Sequence, residues 1–454
     1  MTGDFHVRFC GNAGVKFPCV TRLCATKTKC VADKDIQTWK TEQKRMKKSD
    51  DKMTMKKVII VLSVFVLIAS SCGQRNAKAI ALTNNDEKNE TPQEPTLYGN
   101  YGEDELREAL SVPTTTMTMT TDSIGLAGMY LYGTGYAVID WGDGKRTVVR
   151  LSDSFGYNYK YTNTAPRTIT ITGADITVFY CSGNIDSRNR ITSLDVGKNM
   201  ALTSLDCSDN LLTSLNVTNN TSLTDLTCVN NKLKSLNINK NLKLTQLWCY
   251  NNQITALNVS RNTALKDFRC YENRITDLDV SSNTALTYLD CHSNQLTSLN
   301  VSGNTVLTNL DCSDNQLNSL DISNSTAMTS LMCDNNRLTS LDVRSNTALT
   351  SLGCSNNQLI SFDVTSNTAL TDLVCSDNQL TYLELSKDTV FHFLDISNNQ
   401  LVAAALDTIF KTLYVNTHEE SGFIRIGGNP GTSTCNRRIA TNKRWGVGTD
   451  EIDD

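Results

Sequence analysis

Nine cysteines stand at intervals of 21 residues: Cys207, Cys228, Cys249, Cys270, Cys291, Cys312, Cys333, Cys354 and Cys375. Ile396 keeps the same step, and an asparagine follows three residues after each of these positions, from Asn210 to Asn399. A fixed period of this length specifies a solenoid, in which each coil buries its apolar face only against its neighbours. It excludes a closed globule for the middle of the chain and implies a repetitive surface suited to binding.

One copy reads Leu-Thr-Tyr-Leu-Asp-Cys-His-Ser-Asn-Gln-Leu over residues 286–296. Leu289 and Cys291 are two apart, so both face inward while Asp290 faces outward, the alternation of a strand. Leu299 and Val301 repeat that spacing, which predicts a second short strand on the opposite face of each coil. The asparagine after each first strand suits a turn, because its amide bonds backbone groups of its own and the next coil.

The pattern L-x-x-L-x-C-x-x-N-x-L resembles the leucine-rich repeats. With cysteine in place of the third leucine, it is similar to the cysteine-ladder branch of internalin-type bacterial surface proteins. The resemblance covers residues 176–401. It opens on a rung formed by Ile176, Phe179, Cys181 and Asn184, with five extra residues around 185–190 as a loop. It implies a mainly β chain and a non-catalytic role in adhesion or recognition.

The ladder cysteines admit three readings. Parallel rungs sit about 4.8 Å apart, whereas a disulfide needs Cβ atoms at about 3.8 Å, so regular bridging would pucker the stack. A metal would find collinear donors, not a tetrahedron. Free thiols packing as small hydrophobes fit best, so no metal or other cofactor is expected.

The ends of the chain carry other signals. Residues 55–72 run from a basic start, Met55-Lys56-Lys57, through an apolar stretch to Ala69-Ser70-Ser71-Cys72, a secretory layout too short to span a bilayer comfortably. Its ending resembles a bacterial lipoprotein signal, which implies lipidation at Cys72 and a lipid-anchored place in the cell envelope, at the outer membrane and surface-exposed. The 54 residues before it are basic, hold Cys10, Cys19, Cys24 and Cys30, and show no strand or helix period. Met53 or Met55 is read as the start and residues 1–52 as upstream sequence, with a basic nucleic-acid arm as the alternative. Residues 73–112 read as a polar tether.

Residues 113–175 are rich in Thr, Tyr and Gly, with alternating runs that predict a small β-sandwich. Ile139-Asp140-Trp141-Gly142-Asp143-Gly144 resembles the turn of polycystic-kidney-disease (PKD)-type, immunoglobulin-like modules. That implies Trp141 in the core and a turn at Asp143-Gly144. Calcium at Asp140 and Asp143 would have two carboxylates, far short of an oxygen cage. Residues 402–454 read as an α/β cap, with a helix over 402–413, a strand and turn at 424–431, and Cys435 and Trp445 closing it.

Outward positions on the cysteine-bearing strands hold mostly Ser, Thr, Asp or Asn. Three consecutive coils differ: Trp248 and Tyr250, then Arg269 and Tyr271, then Tyr288 and His292. At one rung spacing these six share a patch, with Gln246 and Asp267 beside it. Aromatics with an arginine on a rigid sheet are the residues found at binding hot spots, for a protein or a glycan ligand. The alternative is an aromatic ladder that only stabilises the sheet. No nucleophile, zincin, phosphate-loop or dinucleotide motif occurs, and a net charge of -4 without a basic stripe argues against nucleic acid. The expectation is a surface binding protein; a cell-envelope scaffold is the alternative.

Overall fold

The computed structural model describes residues 8–10, 17–19, 114–122, 126–152, 156–162, 165–183, 189–416 and 422–449. The signal-like segment with Cys72, the tether and Asn184 lie outside the described residues. In the first of two compact units, Met1–Thr96, β1 (Arg8–Cys10) pairs antiparallel with β2 (Phe17–Cys19), a pairing that no strand period in the sequence announces.

The second unit, Leu97–Asp454, is a leucine-rich repeat solenoid of 21-residue coils. Each coil contributes a three-residue strand, and consecutive strands pair in parallel with no slip: Leu247 opposite Phe268, Phe268 opposite Leu289, Leu289 opposite Leu310. Cys181 and the nine regular cysteines are all free and buried. Burial pushes their thiols well above the ordinary range, so they pack un-ionised among leucines.

Two rows of asparagine amides close the backbone of this stack. In the first, Asn294 donates from Nδ2 to the carbonyls of Cys270 and Cys291, both at 3.1 Å, and its Oδ1 accepts from the Ile275 N–H at 3.0 Å. The same three bonds recur at Asn252, Asn273, Asn315 and Asn336. The second row lies in the opposite turn, where Asn304 donates to Val280 O at 3.1 Å and Asn283 O at 2.8 Å. A buried carbonyl without a donor costs about 1–3 kcal/mol, so each amide secures two coils at once.

The predicted second strand forms only in places. Leu299 and Val301 are buried as expected. Pairing on that side, however, is limited to isolated bridges such as Asp279 with Asn300, and to Ser361–Asp363 with Tyr382–Glu384. The side-chain row at Asn283 and Asn304 takes over what a continuous ladder would otherwise do.

The stack is longer than the cysteine period. Ile424, Ile426 and Asn429 form a further rung, whose amide donates to Ile396 O and Ile426 O, both at 2.9 Å. The regular step fails there because α1 (Ala403–Thr412) occupies the back half of that coil, burying Leu406, Ile409 and Phe410. A last strand, Gly446–Gly448, pairs with Phe423–Arg425.

At the other end lie β3 (Thr115–Thr121), β4 (Leu126–Asp140), β5 (Arg146–Arg150), β6 (Gly156–Lys160), β7 (Arg167–Tyr180) and β8 (Ile191–Asp195). The first half of β7 pairs antiparallel with β3, and β7 pairs with β4 along most of its length. Its last residues then pair in parallel with β9 (Ser204–Asp206), Phe179 opposite Leu205. One strand thus belongs to both the N-terminal module and the first coil. On the other side β3 pairs with β8, which bridges onward from Asp195 to Asn216. Ile176, Phe179 and Cys181 are buried as the first rung. Asn189 donates to Cys181 O at 2.9 Å, the bond that Asn294 makes to Cys291 O in the regular coils.

Trp141 sits in the module's core, its Nε1 donating to Thr147 Oγ1 at 2.9 Å and its ring stacked on Tyr159. Gly142 adopts φ 76°, and a Cβ there would come within 2.5 Å of Thr168 O, so only glycine fits. Asp140 is held by the Gly142 N–H and Arg146, and Asp143 by the Lys145 N–H and the Tyr159 hydroxyl. Both carboxylates are thereby engaged by donors, not gathered into an oxygen cage.

The second amide row is broken at Ser325 and, nearer the C-terminal end, at the exposed Asp388. Ser325 reaches only Asn304 O, at 3.3 Å, where an asparagine would also reach Val301 O. Ser325→Asn is expected to raise unfolding stability by about 1 kcal/mol, and Asn304→Ala to lower it by more, both measured by urea unfolding.

Candidate functional site

The six singled-out residues are brought together as two stacks on the cysteine-strand face. Trp248, Arg269 and Tyr288 lie on strands Gln246–Trp248, Asp267–Arg269 and Tyr288–Asp290, which are in direct register, and Tyr250, Tyr271 and His292 follow two residues past their ends. In the first stack the Arg269 guanidinium lies 4.5 Å from the Trp248 ring and 4.4 Å from the Tyr288 ring, a cation between two aromatic faces. Its fork is held by Asp267 at 2.9 and 3.1 Å. Gln246 pairs with Asp267, and Asp267 with Tyr288, along the next column. In the second stack Tyr250, Tyr271 and His292 lie ring on ring, with centroids 4.1 and 4.3 Å apart and planes within 14°.

The rings are half-buried rather than laid open. Along the stacking direction Tyr271 spends both faces, and each other ring one face, on a neighbour, so the stacks offer mainly their edges outward. The Trp248 indole N–H is buried without an acceptor among the described residues. Burial raises the Tyr271 and Tyr288 phenols, which stay neutral.

His292 links the stacks to an acidic run. Its Nδ1 lies 2.6 Å from Asp290 Oδ1 and 3.8 Å from Asp311 Oδ2. Burial disfavours the imidazolium, but the Asp290 hydrogen bond and the charges of Asp290, Asp311 and Glu272 outweigh it, lifting His292 to about 9. Asp311 is pushed up by burial and by the neighbouring Asp290.

The backbone marks the same coils independently. Two residues after each ladder position the chain is left-handed, with φ between 50° and 55°, and the residue there is Asp or Asn in eight of ten coils: Asp209, Asn230, Asn251, Asp314, Asn335, Asn356, Asp377 and Asn398. Asn and Asp tolerate that conformation better than other residues with a side chain. The two departures are Glu272 and Ser293, at φ 50° and 51°, both in coils that carry the patch. Side chains at this position also bond from coil to coil, as in Asn251 to Asn230 at 2.6 Å. A local rule kept elsewhere is broken where the surface composition changes.

A second aromatic cluster on this face escaped the sequence reading. Phe393 and Phe423 stand opposite each other with parallel rings 6.4 Å apart, and Arg425 lies over Phe393 at 5.5 Å. Both phenylalanines are three residues before an inward isoleucine, the register of Tyr288 before Cys291, and that spacing was the available signal.

No protein-family profile matches the chain, and no curated protein sequence does. Among solved structures it is similar to the functional domain of InlJ from Listeria monocytogenes, which includes a cysteine ladder. The identity is 34% and the TM-score 0.50, over 57% of this chain and 61% of that one. The chain thus spans less than two thirds of that relative. Lower likeness extends to an internalin, InlF, from Listeria monocytogenes, at 19% identity and TM-score 0.49, covering 61% of this chain and 87% of that one. A leucine-rich repeat protein of Leptospira interrogans matches at 20% identity and TM-score 0.45, over 56% of this chain and 74% of that one. The repeat solenoid with its ladder of thiols is therefore shared with an internalin-type protein.

Two outcomes follow. Glu272→Asn is expected to raise stability by about 1 kcal/mol by relieving the left-handed strain, read by thermal unfolding. Because folding raises the His292 pKa, its ion pair stabilises fully below about pH 6.5 and fades as pH climbs through about 9. An NMR titration should place the imidazole midpoint near 9, and Asp290→Asn should bring it down.

Proposed function

We propose that the chain is a non-catalytic surface binding protein whose repeat face mediates adhesion or recognition. Its contact region is built on Trp248, Tyr250, Arg269, Tyr271, Tyr288 and His292. The observation that carries this reading is the double stack: six side chains held by cation–π and ring contacts on a rigid parallel sheet. Aromatic and arginine side chains fixed in place lose little freedom on binding, which is why such groups dominate hot spots.

A protein ligand is better supported than a glycan. A sugar stacks on a free aromatic face, and here Arg269 and the neighbouring rings take both faces of Tyr271 and one face of each other ring. Edges and hydroxyls suit the irregular polar surface of a protein. The likeness to an internalin-type solenoid supports the same role.

Placement at the cell envelope, lipid-anchored through Cys72 at the outer membrane and facing outward, rests on the signal-like segment 55–72. No helix among the described residues is long and apolar enough to cross a membrane. An envelope scaffold is the competing reading. Protease treatment of intact cells separates the two, since release of repeat peptides fits the adhesin and full protection fits the scaffold.

Affinity capture with the full-length chain as bait tests the patch. Trp248→Ala with Tyr271→Ala should weaken capture of the partner by about 2 kcal/mol or more, roughly thirtyfold, while circular dichroism still reports a folded solenoid. An identical captured set, in identical amounts, removes the patch from consideration.

A further inference from the structure

At the end of one aromatic stack, His292 converges with two carboxylates that the binding role does not use. Asp290, His292 and Asp311 each offer one ligand atom, and these atoms all lie within 4.8 Å of one another. Asp290 and Asp311 are direct register partners on adjacent strands, so the sheet fixes their spacing. His292 follows two residues after Asp290 on the same face, its ring held against Tyr271.

We propose that Asp290, His292 and Asp311 form a site for one divalent ion of the zinc class, with a coordination position left open toward solvent. This does not rest on the recognition reading. Zinc bonds to nitrogen and carboxylate oxygen are about 2.0–2.2 Å, which sets donor pairs in a tetrahedron about 3.4 Å apart. The observed 2.6 and 3.8 Å straddle that value and the two carboxylate donors lie within 4.8 Å of each other, so an ion enters by spreading the first pair and drawing in the others by less than about 1.5 Å.

The charge pattern favours a cation. Among the described residues, the ion pairs of Asp290 and Asp311 are both to His292, and Arg269 commits its fork to Asp267. One imidazole with two carboxylates matches zinc, cobalt, nickel or manganese better than calcium, which takes six to eight oxygens. Nothing else in the coil has to move: the backbone is held by Asn294 and Asn315, and Asp311 Oδ1 already accepts from the Ser313 N–H at 3.0 Å. His292 and Asp311 keep a quarter of their side-chain surface exposed, which leaves a path for the ion.

The test is titration of Co2+ and Zn2+ into the purified full-length chain, followed by visible absorption and calorimetry. The expected result is a Co2+ spectrum of nitrogen and oxygen ligation, displaced by Zn2+. His292→Ala and Asp311→Asn should each weaken that binding at least tenfold. Thiolate charge-transfer bands that persist in both variants would assign the metal to cysteines and overturn the site. So would the absence of binding at millimolar Zn2+, or equal binding by the variants. His292→Asn serves if the alanine variant unfolds, as judged by circular dichroism.

Discussion

Backbone groups in the turns of a solenoid have no strand partner, and the asparagine amides supply one. Each Nδ2 in the first row reaches back one coil and each Oδ1 holds the N–H of the coil before it. The amide therefore acts as a staple whose length equals the rung spacing. This explains why the residue recurs without exception from Asn210 to Asn399, and why the inserted first coil recruits Asn189 for the same task. Cysteine suits the adjoining inward position because burial keeps its thiol un-ionised and it packs as a small hydrophobe. Outward positions carry none of these duties, and they are where the sequence is free to vary.

That freedom is used in three coils. Arg269 between Trp248 and Tyr288, and Tyr271 between Tyr250 and His292, replace the short polar residues found elsewhere on the face. Each stacked pair contributes about 0.5–1.5 kcal/mol beyond its burial, so the patch partly offsets the left-handed strain at Glu272 and Ser293. Stability alone is a poor account of an arrangement that breaks a local backbone preference twice and leaves an indole N–H without an acceptor among the described residues.

The solenoid was legible because period, inward spacing and turn amide are all written in adjacent letters. The same arithmetic placed the six patch residues on one face. It did not reveal that their ring faces are mutually occupied, because orientation depends on packing between coils. The second amide row was also missed: Asn283 and Asn304 look like ordinary turn residues until the carbonyls they reach are known. The last rung was hidden by α1, which interrupts the count between Ile396 and Ile426. Metal-ligating geometry at His292 was invisible for a related reason, since Asp311 belongs to the next coil and lies 19 positions on.

The shared strand β7 has a mechanical consequence. Tension drawn through β3 reaches β7 across seven residue pairs aligned along the pull, from Thr115 with Gly173 to Thr121 with Arg167. Bonds loaded side by side in shear yield together, not one after another. From Val178 to Tyr180 the same strand is already the first rung, so force entering the N-terminal module is delivered into the coils through unbroken covalent chain.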